Sequence, residues 1–300
     1  MKALQNFNVW LFGYGSPATL AILRILIGTG TFLNLGTAAL GFNDWFSEKG
    51  FVPTSVGKAF LSGVPRFSLL PFPVPDWVAA VFVGLVLLAA IMTALGLFTR
   101  LATIALALGV ITLHHRNPMI LHSGDTLMRL LVVYLAVSEC GAAYSLDLKR
   151  KRITAFKGIP LFPQRLVQFQ IALVYSATFW HKMYGDFWRN GTATYYPAQL
   201  NEFNRFPLPA FVDDNPTVVW LSTFGTLAVE LALGTLVFWK PARKWVLLLG
   251  LLLHSYIEYR FNIPLFSFII CSTYVCFYEG SEVEGWVNRL MSSWRKVPAA

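Results

Sequence analysis

Charged side chains are scarce in this sequence. Asp, Glu, Lys and Arg make up 13% of its 300 residues, whereas soluble globular domains carry about 25%. A chain with so few charges does not have enough polar surface to face water on all sides, which excludes a soluble protein. Hydrophobic residues supply 56% of the sequence, so it predicts an all-α integral membrane protein.

Cysteine is also rare. The three cysteines, Cys140, Cys271 and Cys276, lie in or beside apolar runs. Cys271 and Cys276 are five residues apart and therefore point to different faces of a helix, so packing is the expected role rather than a disulfide or metal framework. The first 40 residues lack a short apolar stretch ending in a small-residue cleavage site, so we expect the N-terminus to be retained.

Long apolar runs are abundant. A helix needs about 20 residues to cross the hydrocarbon layer, and somewhat fewer when its neighbours shelter it. We predict a bundle of about eight transmembrane helices in a single domain, residues 1–300, with no separate soluble domain and both termini in the cytoplasm. The predicted spans are roughly 17–40, 76–98, 100–114, 125–142, 165–184, 215–239, 244–261 and 263–280.

Acidic residues are fewer than basic ones, 15 against 24, which gives a net charge of +9. With eight spans, three basic clusters fall on the same side as Lys2 and Arg100, which the positive-inside rule makes the cytoplasm. Topology thus explains the net charge, and no nucleic-acid partner is expected. We predict a multi-pass protein of the cell membrane whose outer face receives residues 41–75, 115–124 and 185–214. The clusters are Lys149, Arg150, Lys151, Arg152 and Lys157; Lys240, Arg243 and Lys244; and Arg289, Arg295 and Lys296.

Ionisable residues inside a membrane are costly and point to function, each with an expected partner. Lys182, next to His181 at the outer end of the fifth span, is the main candidate. In a dry apolar pocket its charged form is disfavoured, which would make a neutral amine available as a base. The alternative is that Lys182 extends to the outer headgroups.

Two further ionisable residues fall near mid-membrane, Glu230 in the sixth span and His254 in the seventh, counting 1.5 Å per residue. They could hydrogen-bond to each other across neighbouring helices as a packing clasp. A proton relay or a contact with a quinone ring is the alternative.

The segment HHRNPMILHSGDTLMRL, residues 114–130, concentrates polar groups in one outer connection. His114, His115 and His122 lack the spacing and carboxylate partners of familiar zinc sites, so no metal is expected. Arg116 and Asn117 could hold an anion or a quinone carbonyl. Asp125 is expected to cap the fourth span.

The order of several segments resembles the horizontally transferred transmembrane (HTTM) domain family, whose best-known member is vitamin K-dependent gamma-carboxylase. These segments are LAILRILIGTGTFLNL, the 114–130 stretch, GAAYSLD, QIALVYSATFWHKMYGDFWRNGTATYY and LLLHSYIEYRFNIPLFSF. The resemblance covers roughly residues 17–280. It implies a helical bundle with a reaction chamber open to the exoplasmic side.

The resemblance also implies a chemistry. In the carboxylase, a lysine deprotonates vitamin K hydroquinone, and oxygen converts the quinol to an epoxide through a strong base that removes a proton from a peptide glutamate before carbon dioxide adds. Lys182 matches that lysine, with Asp186, Trp188 and Gly191 following at nearly the same spacing, and His254 matches a late histidine. A lipid quinone or quinol is therefore the expected cofactor.

Three functions remain open from the sequence. The first is a quinol-dependent oxidoreductase or carboxylase-like lyase. The second is a non-redox factor that matures or exports a secreted peptide, because the carboxylase has an extended lumenal C-terminal region and this chain ends soon after its last predicted span. The third is a transporter, which the lack of detectable repeats and paired broken helices disfavours.

Overall fold

Helices account for most of the chain. The computed structural model describes residues 2–153 and 158–294; Lys157, Arg295 and Lys296, which enter the charge argument, lie outside them. The helices, in chain order, are α1 (Lys2–Phe12), α2 (Ala18–Leu40), α3 (Phe42–Trp45), α4 (Thr54–Phe60), α5 (Asp76–Leu95), α6 (Thr99–Arg116), α7 (Ser123–Ala136), α8 (Leu146–Lys149), α9 (Phe162–Met183), α10 (Asp186–Arg189), α11 (Tyr195–Ala198), α12 (Ala210–Asp213), α13 (Pro216–Gly234), α14 (Lys240–Arg260), α15 (Phe266–Ser272) and α16 (Gly280–Trp294).

Short 3-10 helices and one small sheet complete the described structure. The 3-10 helices are Pro118–Ile120, Asn201–Phe203, Leu236–Phe238 and Thr273–Phe277. Strands β1 (Tyr14–Gly15) and β2 (Ile159–Pro160) pair antiparallel, with Tyr14 opposite Pro160. The chain divides into two compact units: the described residues up to Arg165 together with those from Tyr278 onward, and Leu166–Phe277.

Among the described residues, three helices are long and apolar enough to cross a membrane: α2, α5 and α13. Helix α5 shows why the outside of such a helix needs lipid. Trp77, Val81, Leu85, Leu88 and Leu95 recur every three, four or seven residues on one face and are each at least half exposed. Such a stripe is stable against hydrocarbon and unfavourable against water.

The first unit is built on consecutive packing of its long helices. Helix α2 packs on α5, α5 on α6 and α6 on α7. Gly28 lets α2 approach α5 closely, because a Cβ at this position would lie 2.6 Å from the backbone nitrogen of Ala94. The join between α5 and α6 is tight, as predicted, since Gly96 ends α5 in the left-handed conformation at φ 66°.

Helix α7 ends at Ala136, earlier than the predicted span 125–142, and Arg24 binds the chain that follows it. This fully buried guanidinium donates to the carbonyls of Cys140 (3.1 Å) and Tyr144 (2.8 Å), and to those of Thr93 and Ala94 at the end of α5. Carbonyls that accept from an arginine need no helical partner, so Cys140 and Tyr144 can lie outside a helix. Arg24 thus has backbone carbonyls as its partners inside the first span.

In the second unit, three helical segments also end or begin at residues different from those predicted. Helix α13 stops at Gly234, where a Cβ would lie 2.5 Å from Ser176 Oγ. Helix α14 begins at Lys240, earlier than residue 244, with Pro241 in its first turn, where a missing N–H costs nothing. The predicted span 263–280 is shorter and broken, α15 being followed by the 3-10 helix Thr273–Phe277.

Candidate functional site

Lys182 and Glu230 form an ion pair inside the second unit. Lys182 lies in the last turn of α9 and Glu230 on α13, and Nζ of the lysine contacts Oε1 of the glutamate. The lysine side chain is 25% exposed and the glutamate side chain 9%. Burial of the carboxylate removes it from water, and the ammonium at its side offsets that cost.

The Trp188 ring covers the other side of the lysine. Lys182 Nζ lies 4.6 Å from the ring centroid, a distance at which the aromatic face attracts a cation. Helix α10 carries Trp188 to this place, because Gly185 turns the chain directly after α9. Lys182, Glu230 and Trp188 therefore come together, as three of the residues singled out in the sequence.

The predicted clasp between Glu230 and His254 is wrong. His254 Nε2 lies 2.8 Å from the hydroxyl of Tyr175, and that hydroxyl lies 2.7 Å from the hydroxyl of Tyr274. Tyr175 precedes Lys182 by seven residues, two turns of α9, so both side chains leave the same face of the helix. Glu230 has the lysine as its partner, and His254 has the tyrosine.

The two groups lie on the same face of α9, because Lys182 belongs to one and Tyr175 to the other. The cluster is defined here as Lys182, Glu230, Tyr175, His254 and Tyr274, and all five lie in the second unit. Tyr175 and Tyr274 were not predicted. The seven-residue spacing to Lys182 could have identified Tyr175, whereas nothing in the sequence pointed to Tyr274.

Two buried polar atoms of this cluster, Glu230 Oε2 and His254 Nδ1, have no hydrogen-bond partner among the described residues, and the same holds for Ser267 Oγ, which follows Phe266 in the sequence. They belong to α13, α14 and α15. Buried polar atoms are rarely left unpaired in folded proteins, and an unpaired one calls for an explanation such as a bound ligand. The Phe266 ring packs at 5.5 Å from His254, so the surroundings of the imidazole are apolar on that side.

The sequence model of the HTTM domain family matches residues 14–281. The chain belongs to the HTTM domain family. Membership confirms the resemblance and makes the chain a membrane protein of the type linked to vitamin K-dependent carboxylase-like proteins. No solved structure matches the chain.

Two other predicted residues of this HTTM domain stay outside the cluster. Asp186 pairs with Arg189 across one turn of α10, and both side chains are more than half exposed. His181 is exposed as well, beside Lys182 on α9. Asp186 thus follows the lysine in sequence at the family spacing, but its carboxylate is engaged with a neighbouring arginine.

The predicted residues of the 114–130 segment lie in the first unit, and Arg116 has a structural role there. Its guanidinium is 2% exposed and donates to Glu48 (2.6 Å), to Thr54 Oγ1 (2.8 Å) and to the carbonyl of Phe46 (3.1 Å). Asn117 Nδ2 donates to the carbonyl of Trp45 at 2.8 Å. These contacts fix the segment before α4, and the expectation that the two side chains hold a ligand stays a prediction.

Burial alone would raise the pKa of the Glu48 carboxyl. The hydrogen bonds from the Thr54 hydroxyl and backbone, and from Arg116, outweigh that effect and lower the pKa below its ordinary value. The Arg116–Glu48 pair is therefore held in its charged form.

Asp125 caps α7, as predicted. Its carboxylate accepts from the backbone nitrogen of His122 at 2.8 Å, while His122 Nδ1 accepts from the backbone of Gly124 at 3.0 Å, so the two form a reciprocal capping box. Asn34 on α2 donates to the other carboxylate oxygen at 2.8 Å. Asp125 thereby joins the start of α7 to α2.

The two adjacent histidines differ in their surroundings. His114 is 3% exposed on α6, and its Nδ1 has no partner among the described residues. His115 Nδ1 lies 3.1 Å from the backbone nitrogen of Phe67 and 2.7 Å from its carbonyl oxygen. His115 thereby fixes the loop that precedes α5.

Proposed function

We propose that this HTTM protein is a membrane enzyme that uses a lipid quinol, with Lys182 as the base and the reaction on the exoplasmic side. The observation that supports this most is the Lys182–Glu230 contact beneath the Trp188 ring. The lysine matches the base of the carboxylase by position. The structure adds a carboxylate to which its proton can be passed.

Glu230 provides a route to a neutral amine. If the proton moves from Lys182 Nζ to Glu230 Oε1, the ammonium and carboxylate become an amine and a carboxylic acid, both uncharged. Burial penalises charges far more than neutral polar groups, so a mostly buried pair lowers the cost of this transfer. The amine at Nζ then accepts a proton from an acidic hydroxyl held against Trp188.

Tyr175, His254 and Tyr274 form a second row of exchangeable protons in the same unit. The Tyr175 hydroxyl donates to or accepts from His254 Nε2 and Tyr274 within 2.8 Å, so a proton can be exchanged along the row. His254 Nδ1 and Ser267 Oγ are buried without partners among the described residues and would each be able to bond an oxygen atom of a quinol. The Trp188 and Phe266 rings supply aromatic surface of the kind that suits a quinol ring.

A bound lipid hydroquinone would be oxidised by dioxygen with the loss of four electrons overall, one oxygen atom entering the ring as the epoxide and the other leaving as water with the two hydroxyl protons, and proton abstraction from an acidic C–H substrate would be coupled to that oxidation. The chain's own residues would hold the ring and receive the hydroxyl proton at Lys182 Nζ, while Glu230 holds the proton that the lysine released beforehand.

The test is quinol consumption under air by the purified protein in nanodiscs, with epoxide formation followed by chromatography. We expect Lys182→Ala to lower the rate about 100-fold or more, the usual contribution of a positioned base. Lys244→Ala, an exposed lysine of the same unit, is the matched control. Equal rates for Lys182→Ala and the unaltered protein, or no quinol binding by either, would overturn the proposal.

A second function, maturation or export of a secreted peptide, is favoured by one structural feature. Arg260 is fully buried and donates to Asp213 (2.6 Å) and to the carbonyls of Ala198 (3.0 Å) and Phe206 (3.2 Å), which fixes residues 198–213 to the end of α14. The fixed segment exposes Phe211 at 77%. A rigid segment with exposed aromatic residues suits contact with a peptide.

The two functions separate experimentally. If the chain is a maturation factor without redox chemistry, Phe211→Ala would reduce peptide processing, and Lys182→Ala would leave it intact. If it is a quinol enzyme, Lys182→Ala would reduce quinol consumption, and Phe211→Ala would leave it intact. Phe60→Ala, in the first unit and exposed at 63%, controls for loss of any exposed phenylalanine.

A further inference from the structure

A positively charged cavity of about 310 Å³ lies in the first unit, apart from the cluster around Lys182. Its walls come from α4, the loop that follows it and the end of α6. Four basic side chains line the cavity, and no Asp or Glu does: Lys58, Arg66, His115 and Arg116. Phe67 and Phe72 supply aromatic walls.

Two of these cations have no counter-ion in the part of the chain that the structure describes. Arg116 is neutralised by Glu48. For Lys58 and Arg66, by contrast, no carboxylate lies within ion-pair distance in residues 2–153 and 158–294. Lys58 Nζ sits 5.1 Å from the centre of the Phe72 ring, and Arg66 reaches only the carbonyl of Gly57, at 3.5 Å.

The walls of the cavity are fixed by contacts that do not involve these two cations. Helix α4 approaches α6 so closely at Gly57 that a Cβ there would lie 2.4 Å from the carbonyl oxygen of Arg116. The loop is attached to α6 at two points, by His115 with the Phe67 backbone and by Thr112 Oγ1, which accepts from the backbone of Leu69 at 3.1 Å. Lys58 and Arg66 therefore project from a fixed frame.

We propose that this cavity binds a phosphate group, with Lys58 and Arg66 as its ligands. Guanidinium and ammonium groups match phosphate oxygens, and two cations without counter-ions among the described residues suit a phosphate group, whether it carries about two charges as the free ion or one as a diester. Phe67 and Phe72 contact the organic part attached to the phosphate. The group can belong to a phospholipid headgroup or to a soluble phosphate, and the chemistry of recognition is the same.

The experiment measures binding by the full-length protein in phosphate-free, uncharged detergent. The probes are inorganic phosphate, short-chain phosphatidylglycerol and, as a carboxylate of similar size, acetate. We expect phosphate-bearing probes to bind and acetate to bind at least about tenfold more weakly. Saturation by inorganic phosphate identifies a soluble ligand, whereas binding of the lipid alone identifies a headgroup.

The variants are Lys58→Gln and Arg66→Gln, singly and together. The double variant should bind the phosphate probe at least about tenfold more weakly, and each single variant should lose part of that affinity. Lys149→Gln with Arg150→Gln removes the same charge from two exposed residues of the same unit and should bind as the unaltered protein does.

Three results would overturn the proposal. They are an equal loss of affinity in the Lys149/Arg150 control, acetate binding as tight as phosphate, and failure of both phosphate probes to bind. Thermal melting of each variant without ligand shows whether it is folded, and the single variants keep the test valid if the double variant is not.

Discussion

The two units each contain a buried pair of a cation and a glutamate, and the pairs differ in what they can do. In the first unit, Arg116 is 2% exposed and Glu48 24%; in the second, Lys182 is 25% exposed and Glu230 9%. The buried member is thus the cation in one pair and the carboxylate in the other.

The chemistry of the cation separates them further. An arginine in a protein does not release its proton, so the Arg116–Glu48 pair is a permanent charge pair, and its hydrogen bonds hold three segments together. A lysine can release its proton to a neighbour when burial disfavours the charged form. Only the Lys182–Glu230 pair can therefore take part in proton transfer.

The largest effect in this comparison is expected from Glu230→Gln. The substitution keeps the shape of the side chain and removes the carboxylate that receives the proton of Lys182, so the route for proton transfer is lost and quinol consumption should fall about 100-fold or more. Glu139→Gln, at an exposed position, should retain the full rate. A variant at position 230 that oxidises quinol at the normal rate would show that the pair is structural, like the one in the first unit.

Glu48→Gln, the same substitution in the first unit, should change stability instead. It leaves Arg116 buried without a counter-ion, which costs about 3 kcal/mol, while quinol consumption by the folded protein remains. The measurement is the denaturation midpoint in detergent beside Glu230→Gln. Because Lys182 is partly exposed, Glu230→Gln should lose less stability than Glu48→Gln. A lower midpoint for Glu230→Gln than for Glu48→Gln would contradict the comparison.

Much of the helical framework could be predicted from the sequence, since apolar length and periodicity depend on neighbouring residues alone. The ends of the helices could not. Helix α7 ends at Ala136, and Arg24, more than 100 positions earlier, binds the carbonyls of Cys140 and Tyr144 in the chain that follows; no local pattern encodes such a contact.

The site shows the same limit. Counting residues along α13 and α14 places Glu230 and His254 near mid-membrane, but it does not give the rotation of each helix about its axis. That rotation turns Glu230 to Lys182 and His254 to Tyr175. The capping role of Asp125 was predictable because all of its partners on α7 lie within three residues.

Acid should weaken the first unit in particular. Burial alone would raise the pKa of Asp147. Hydrogen bonds from the backbone and hydroxyl of Thr99 and from the backbone of Phe98, together with the charge of Arg152, outweigh burial and lower that pKa. The bonds from Thr54 and Arg116 lower the pKa of Glu48 in the same way. A lowered pKa in the folded state gives stability that is complete above the unfolded values, about 3.9 for Asp and 4.3 for Glu, and is lost as pH falls further.

The melting temperature should therefore drop as pH falls from about 5 towards 3, and the decline should be shallower in Glu48→Gln combined with Asp147→Asn. The single variants apportion the effect between the two carboxyls. A decline of the same steepness in the double variant would assign the acid sensitivity to other groups.

The smallest effect is expected at Asp125, the cap that joins α7 to α2 within the first unit. Asp125→Ala removes the acceptor for the backbone of His122 and for the Asn34 amide, so it should cost about 1 kcal/mol of stability, the usual value of a lost cap. Asp214→Ala, an exposed carboxylate of the second unit whose partner is Gln199 at 3.2 Å, should lie within about 0.5 kcal/mol of the unaltered protein. Because neither residue belongs to the cluster around Lys182, both variants should oxidise quinol at the normal rate. A rate loss in Asp125→Ala that exceeds its loss of folded protein would mean that the first unit contributes to the chemistry, and the division of roles between the two ion pairs would no longer hold.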